Sequence, residues 1–257
     1  IGDLKEVFQK ATLELAKMGV ADSSGDLDRR LDMLVSAAHE LRSSWTTSEA
    51  RCVEWAGLFI TEANLDSQRN EIPVAISSSR TISEASEKLG VNPPKHLPSD
   101  SEWSSMMSHA NAVTRSSDIL DQRENSIREI ANAHAPSLSA LLGPISAAKL
   151  ISLAGGRERL ARMPSGSLQV LGAHAAMSAH SRGAPPPKHG AVLFSMPQVS
   201  RSPRWVRGKI ARTVAAKASI AARCDAYGGE TWGQEAVDAV AARVEVIRSE
   251  NSKPPQR

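Results

Sequence analysis

Between Pro136 and Asp225 stand 13 Lys or Arg residues against two acids, Glu158 and Asp225, a local net charge of +11. The rest of the chain carries −8, so the overall +3 conceals a strong segregation of charge. Cations gathered on one part of an otherwise ordinary chain raise the local potential and hold a polyanion. Their spacing points to phosphates. On a helix opening at Pro203, with Ser202 as its expected N-cap, Arg204, Lys209, Arg212 and Arg223 project within about 140° of one another. Val206, Ile210, Val214, Ala218 and Ala221 fall on the opposite side, and Arg207 lies at the margin. Lys217 projects among the apolar residues, where it either snorkels or pairs with Asp225. Upstream, Ala184-Pro185-Pro186-Pro187-Lys188-His189-Gly190 is barred from helix by its three prolines; a stiff extended chain presents Lys188 and His189, and Arg201 adds a further cation.

Signals for catalysis are weak. Gly155-Gly156 follows a helix and belongs to no G-x-G-x-x-G or phosphate-loop pattern. There is no G-x-S-x-G nucleophile motif. His174 and His180 are six apart and leave different faces of a helix, which makes them poor metal partners. The scarcity of acids in the basic region removes the paired carboxylates that a metal-dependent nuclease uses. The expectation is a non-catalytic scaffold with no cofactor and no metal. A basic enzyme acting on nucleic acid and a helical nucleic-acid-packaging protein stand as the alternatives.

The elements that must position these cations read as all-α. Aromatic residues are 4% of the 257, and no apolar run approaches the roughly 20 residues of a membrane span. Cys52 and Cys224 lie far apart, as expected of two reduced, buried thiols in a reducing cytoplasm. The chain opens at Ile1, as expected of a fragment. Leu4, Val7, Phe8, Ala11, Leu15 and Met18 predict a helix over 3–18 that ends at Gly19. From Leu27 the spacing alternates between four and three through Leu31, Leu34, Ala38, Leu41, Trp45, Ser48, Cys52, Trp55 and Phe59. Met106, Val113, Leu120 and Ile127 follow seven apart, with Ala110, Ser117 and Ile130 between them. These two heptad arms predict a long antiparallel coiled-coil hairpin over 26–135. Its tip, 61–100, holds one short helical run, Ile82 to Leu89. The seam either closes within the chain or serves self-association. Beyond it a compact helical domain is expected over 136–250. It comprises a helix from Pro136 to Gly155, a short one over 157–162, another from Ser167 to Gly183, a strand or extended segment over 191–196, the Pro203 helix to Ala222 and a last helix over 233–249. Residues 251–257 read as a disordered tail.

Several ordered motifs in this part resemble the Nop domain, in the variant of archaeal box C/D ribonucleoprotein core proteins. They are Ser152-Leu153-Ala154-Gly155-Gly156, Arg159-Leu160-Ala161-Arg162-Met163-Pro164, Gln169-Val170-Leu171-Gly172-Ala173, the Gly183–Gly190 run, Arg201-Ser202-Pro203-Arg204-Trp205, Arg207-Gly208-Lys209-Ile210-Ala211-Arg212 and Ala221-Ala222-Arg223-Cys224-Asp225. The resemblance implies recognition of a kink-turn RNA together with a small ribosomal-protein-like subunit, and support of guide-directed ribose 2′-O-methylation. It puts Lys188, His189, Arg201, Lys209 and Arg212 toward box C/D-type RNA. It puts Gln169, Gly172, Ala173, His174 and Met177 toward the protein subunit. Homodimerisation would run through the coiled coil, along Leu31, Leu34, Leu41, Val113, Leu120 and Ile127. Residues 1–20 would be the remnant of an N-terminal domain, and fibrillarin would join only where that domain is present. The chain departs from the family where a Glu-Lys pair is usual, which here is His174-Ala175, and where Ala179 replaces a usual Arg. The archaeal cytoplasm is the implied location, and a spliceosomal-type Nop-domain factor is the runner-up within the family.

Overall fold

The computed structural model describes residues 2–254, and every regular element among them is a helix. None of these helices is long and apolar enough to cross a membrane. The chain divides into two compact units. One comprises Ile1–Val35 and Ser126–Arg257, the other Ser36–Asn125.

The Ser36–Asn125 unit is built from two long helices, α2 (Leu27–Phe59) and α5 (Asp100–His134), together with α3 (Glu71–Ser77) and α4 (Ile82–Lys88) between them. Side chains meet in antiparallel order. Arg123 Nη1 donates to the Ala37 carbonyl at 2.7 Å, Arg42 pairs with Glu124, and His109 Nε2 lies 2.9 Å from the Ser48 carbonyl. Glu124 occupies the seam position between Leu120 and Ile127 that the apolar pattern skips, so the seam there is an ion pair. Leu41 is half-buried, and Val113 and Leu120 are buried. The apolar core forms where Cys52, Val53 and Ala56 meet Ile72 and Ile76 of α3, Ile82 and Ala85 of α4, and Met106 and Ala110 of α5. The helical run expected at the tip is α4, and α3 is a second tip helix that the spacing does not mark. Pro73 falls in the first turn of α3, where its missing N–H breaks no helical bond.

In the other unit α1 spans Gly2–Ser23 and runs straight through Gly19 rather than ending there. Leu4, Val7, Phe8, Leu15 and Met18 are all exposed along it. Leu31 and Ile127 are buried and Leu34 is half-buried, whereas Leu27 is exposed. Asp28 gathers the start of α2: its carboxylate lies 2.7 Å from His134 Nε2 and accepts the Arg157 N–H at 2.9 Å. Asp32 accepts the hydroxyl of Ser152.

The helix expected from Pro136 to Gly155 is two helices, α6 (Pro136–Leu142) and α7 (Pro144–Ala154), bent by 118°. The cause is local. Gly143 takes φ 79°, and Pro144 has no N–H with which to continue the ladder. Gly155 closes α7 in the left-handed conformation, and α8 follows as Arg157–Arg162. The helix expected over 167–183 is likewise two, α9 (Ser165–Gln169) and α10 (His174–His180), parted at Gly172 with φ 81°. Residues 191–196 form neither strand nor extended chain but a one-turn helix, α11 (Ala191–Ser195), and α12 is Pro197–Ser200. The long helix, α13, covers Arg207–Tyr227 and not 203–222. Ser202 does not cap it: its hydroxyl donates to the Gln198 carbonyl at 2.7 Å and accepts Arg248 Nε at 3.0 Å. The final helix is α14 (Gln234–Glu250).

α13 forms the centre of this unit. Ile210, Ala211, Val214, Ala215, Ala218, Ala221 and Ala222 are buried against α6, α8 and α9, their small size allowing the backbones to approach closely. Lys217 is exposed, and its suggested partner Asp225 is engaged elsewhere, accepting the N–H groups of Ser137 and Leu138 at 2.9 Å each.

Candidate nucleic-acid interface

The site starts with a clamp on the loop after the three prolines, where residues 184–187 are non-helical as expected. Gln169, at the end of α9, donates its side-chain amide to the Lys188 carbonyl at 2.6 Å, and its own carbonyl accepts the Gly190 N–H at 2.7 Å. Gly190 has to be glycine here, because a Cβ would lie 1.9 Å from the Leu171 carbonyl oxygen. Lys188 then runs over Gly208 in the first turn of α13, at a distance that would leave a Cβ on Gly208 in ordinary contact with it.

Beside this clamp His189 stacks on Phe194, with ring centroids 4.8 Å apart and planes 11° from parallel. The Arg207 guanidinium lies 5.4 Å from the same Phe194 ring. Arg207 is half-buried and donates to the carbonyls of Ser202 at 2.8 Å and Ser200 at 2.9 Å. Burial lowers the pKa of the His189 imidazole below its ordinary 6.5, with the nearby Arg207 charge adding to the shift. Of these two expected phosphate contacts, then, one is a half-buried ring stacked on Phe194 and the other is a brace for the α12–α13 turn.

The cations that remain together are Lys188, Lys209 and Arg212, all exposed on one open groove of about 380 Å³. Pro185, Pro186, Pro187 and Trp205 form its carbon walls. None of the three cations is in an ion pair among the described residues. Two residues that the charge pattern does not mark complete the arrangement. Trp205 donates its indole N–H to the Asn251 carbonyl at 2.9 Å, and Lys209 donates to the Asn251 side-chain oxygen. Asn251 in turn donates its amide to the Ile247 carbonyl at 2.8 Å, which fixes it on the last turn of α14. The tail was expected to be disordered from residue 251; Asn251 is instead held in place, and residues 255–257 lie outside the described ones. No local pattern betrays this role of Asn251, since Trp205 and Lys209 are more than 40 positions away.

The other expected cations fall apart from this cluster. Arg201 and Arg204 are exposed, but they precede α13, so a helical projection that includes Arg204 does not apply to it. Arg223 stands 11 residues beyond Arg212, about 16 Å along the helix at 1.5 Å per residue. It donates to the Ala161 carbonyl at 3.1 Å. Of the expected protein-facing residues, Gln169 is buried and committed to the loop, and Gly172 and Ala173 are half-buried at the turn. His174 and Met177 are exposed on α10, a helix that buries none of its residues. Among the described residues no group of three or more His, Cys, Asp or Glu side chains could hold a metal ion.

Residues 50–246 match the family described as "Nop: snoRNA binding domain, fibrillarin". The chain belongs to the Nop family. Relatives of this Nop chain include an uncharacterized NOP5 family protein of Methanocaldococcus jannaschii, 46% identical over 131 residues, 51% of this chain and 31% of the relative. Nucleolar protein 58 of Scheffersomyces stipitis is 27% identical over 226 residues, 81% of this chain and 44% of the relative. The Nop chain thus spans between about a third and somewhat under half of these curated relatives' length. A solved fibrillarin/Nop5p complex has the same fold, with a TM-score of 0.55 and 23% identity over 95% of this chain and 78% of that one.

Proposed function

We propose that this chain is the RNA-binding scaffold of a box C/D-type ribonucleoprotein. It holds a kink-turn RNA jointly with a small ribosomal-protein-like subunit and supports guide-directed ribose 2′-O-methylation without catalysing it. One observation carries the reading: Lys188, Lys209 and Arg212 converge uncompensated on one groove, in a chain of the snoRNA-binding family. Cations in such a cluster displace the counterions of the strand they bind, which makes binding fall steeply with salt. The exposed side of α10, with His174 and Met177, supports the contact with the protein subunit. Its lack of charge at Ala175 and Ala179 makes that contact the weaker of the two. The exposed apolar side of α1 supports a further protein contact, and fibrillarin is the partner in the Nop5p complex whose fold this chain shares. Self-association through α2 and α5 and a location in the archaeal cytoplasm belong to the same reading.

The test is a gel shift with kink-turn RNA over a range of salt, with and without the ribosomal-protein-like subunit. Binding is expected only with the subunit present. Changing both Lys209 and Arg212 to Ala should weaken it by about a hundredfold and lower the salt slope by about two. Wild-type affinity in that double variant would overturn the assignment.

A further inference from the structure

The groove beside α13 is lined by more than charge. A site for phosphates alone needs donors and has no use for carbon walls. Here the cations share the groove with the Pro185–Pro187 run and the Trp205 indole. Its volume of about 380 Å³ is at the lower end of the range, about 300–1000 Å³, for sites that take one small organic group. The ligand that matches carbon walls and a cationic mouth is a flat ring joined to a phosphate.

We propose that this groove is a subsite for one unpaired nucleotide of the bound RNA, its base against Trp205 and its phosphate on Lys209 and Arg212, with Asn251 positioning both Trp205 and Lys209. The proposal rests on the RNA-binding reading above and adds to it the form of RNA that the groove accepts.

Asn251 decides the geometry. Its backbone carbonyl takes the indole N–H of Trp205, so the polar edge of the ring is satisfied and the ring is held in place. Its side-chain oxygen takes one of the three N–H donors of the Lys209 ammonium and leaves the others for a phosphate. Because Asn251 is neutral, it orients Lys209 without cancelling its charge; a carboxylate at this position would form an ion pair instead. Its own amide is anchored on Ile247, and Arg248, in the last turn of α14, is tied to Ser202 and Gln198. The C-terminal end of α14 is thereby a structural part of the groove. A paired base has its faces covered by its neighbours and cannot reach the indole, so the subsite selects for a nucleotide outside the helix.

The experiment uses the full chain with the ribosomal-protein-like subunit and kink-turn RNAs that carry 2-aminopurine at one unpaired position at a time. Stacking on Trp205 is expected to quench the fluorescence at one position in the wild type and in Trp205→Phe, and not in Trp205→Leu. Trp205→Leu should lower affinity about tenfold with the salt slope unchanged, since stacking is lost and no phosphate contact is. Asn251→Asp should lower the slope by about one, and Asn251→Gln should restore it; a change that merely loosened the fold would not move the slope in this way. Circular dichroism melts establish that each variant is folded, and the quench in the wild type remains informative if Trp205→Leu is not. Quenching at no position, or wild-type affinity in both Trp205→Leu and Asn251→Asp, overturns the proposal. If the Lys209 and Arg212 variants still weaken RNA binding in those cases, the functional reading stands and only the nucleotide subsite falls.

Discussion

The carboxylate of Asp225, near the end of α13, accepts the backbone N–H of Ser137 at 2.9 Å in the first turn of α6, with its second oxygen on the N–H of Leu138 at the same distance. The residue before α6 is Ala135, which has no side-chain acceptor for those orphan donors. A residue nearly 90 positions away therefore caps the helix. Asp225→Ala should cost about 1–2 kcal/mol, the usual range for losing such a cap, and Asp225→Asn less because one oxygen remains. Urea melts of the two variants check the order; equal stability of Asp225→Ala and wild type would refute it.

Gly190 should tolerate no side chain. Its φ is ordinary, so the obstacle is space: the Leu171 carbonyl occupies the place of a Cβ. Gly190→Ala must shift the loop that carries Lys188 and His189, at a cost of about 3 kcal/mol or a local rearrangement. Thermal melting together with RNA affinity measures this, and both should fall.

His189 should titrate below the ordinary histidine range of about 6.5, because burial against Phe194 disfavours its charged form. A histidine whose folded pKa is depressed binds its proton less readily than the unfolded chain does. Its contribution to stability is then present above about pH 6.5 and is lost as the pH falls below that value toward the folded pKa. Histidine NMR titration should place the His189 midpoint below those of exposed histidines, and Phe194→Ala should raise it.

Cys52 should be inert in the native protein. Burial, reinforced by the Glu49 charge, pushes its thiol up to about 11, which leaves about a thousandth of it as thiolate at pH 8. Cys224 is only half-buried. Iodoacetamide at pH 8 should therefore label Cys224 first, with Cys52 labelled only in denaturant, as read by mass spectrometry. Rapid native labelling of Cys52 would contradict the packing of the Ser36–Asn125 core.

Much of the fold is legible in the residues because local periods write it. The spacing of four and three from Leu31 to Phe59 and the sevens from Met106 to Ile127 announce two long helices. Charge counting alone locates the basic domain, and Pro185-Pro186-Pro187 forbids a helix where none forms. The misreadings also have local causes. Gly143-Pro144 and Gly172 sit inside apolar patterns that continue across them, so periodicity joins helices that the backbone breaks. The turn at 202–206 shifts the start of α13, which removes Arg204 from the face it seemed to share.

From the sequence by itself came the helical class, the basic region, and eight candidate RNA contacts, with Lys188, Lys209 and Arg212 among them. Tertiary structure alone decided which cations lie together on one groove. Arg207 and Arg223 were tied to backbone carbonyls, His189 was stacked on Phe194, and Asn251 was brought from the C-terminal end onto Trp205 and Lys209. The physical reason is that charge is a property of a residue, whereas compensation and burial belong to its neighbours. Those neighbours are chosen by packing across dozens of positions.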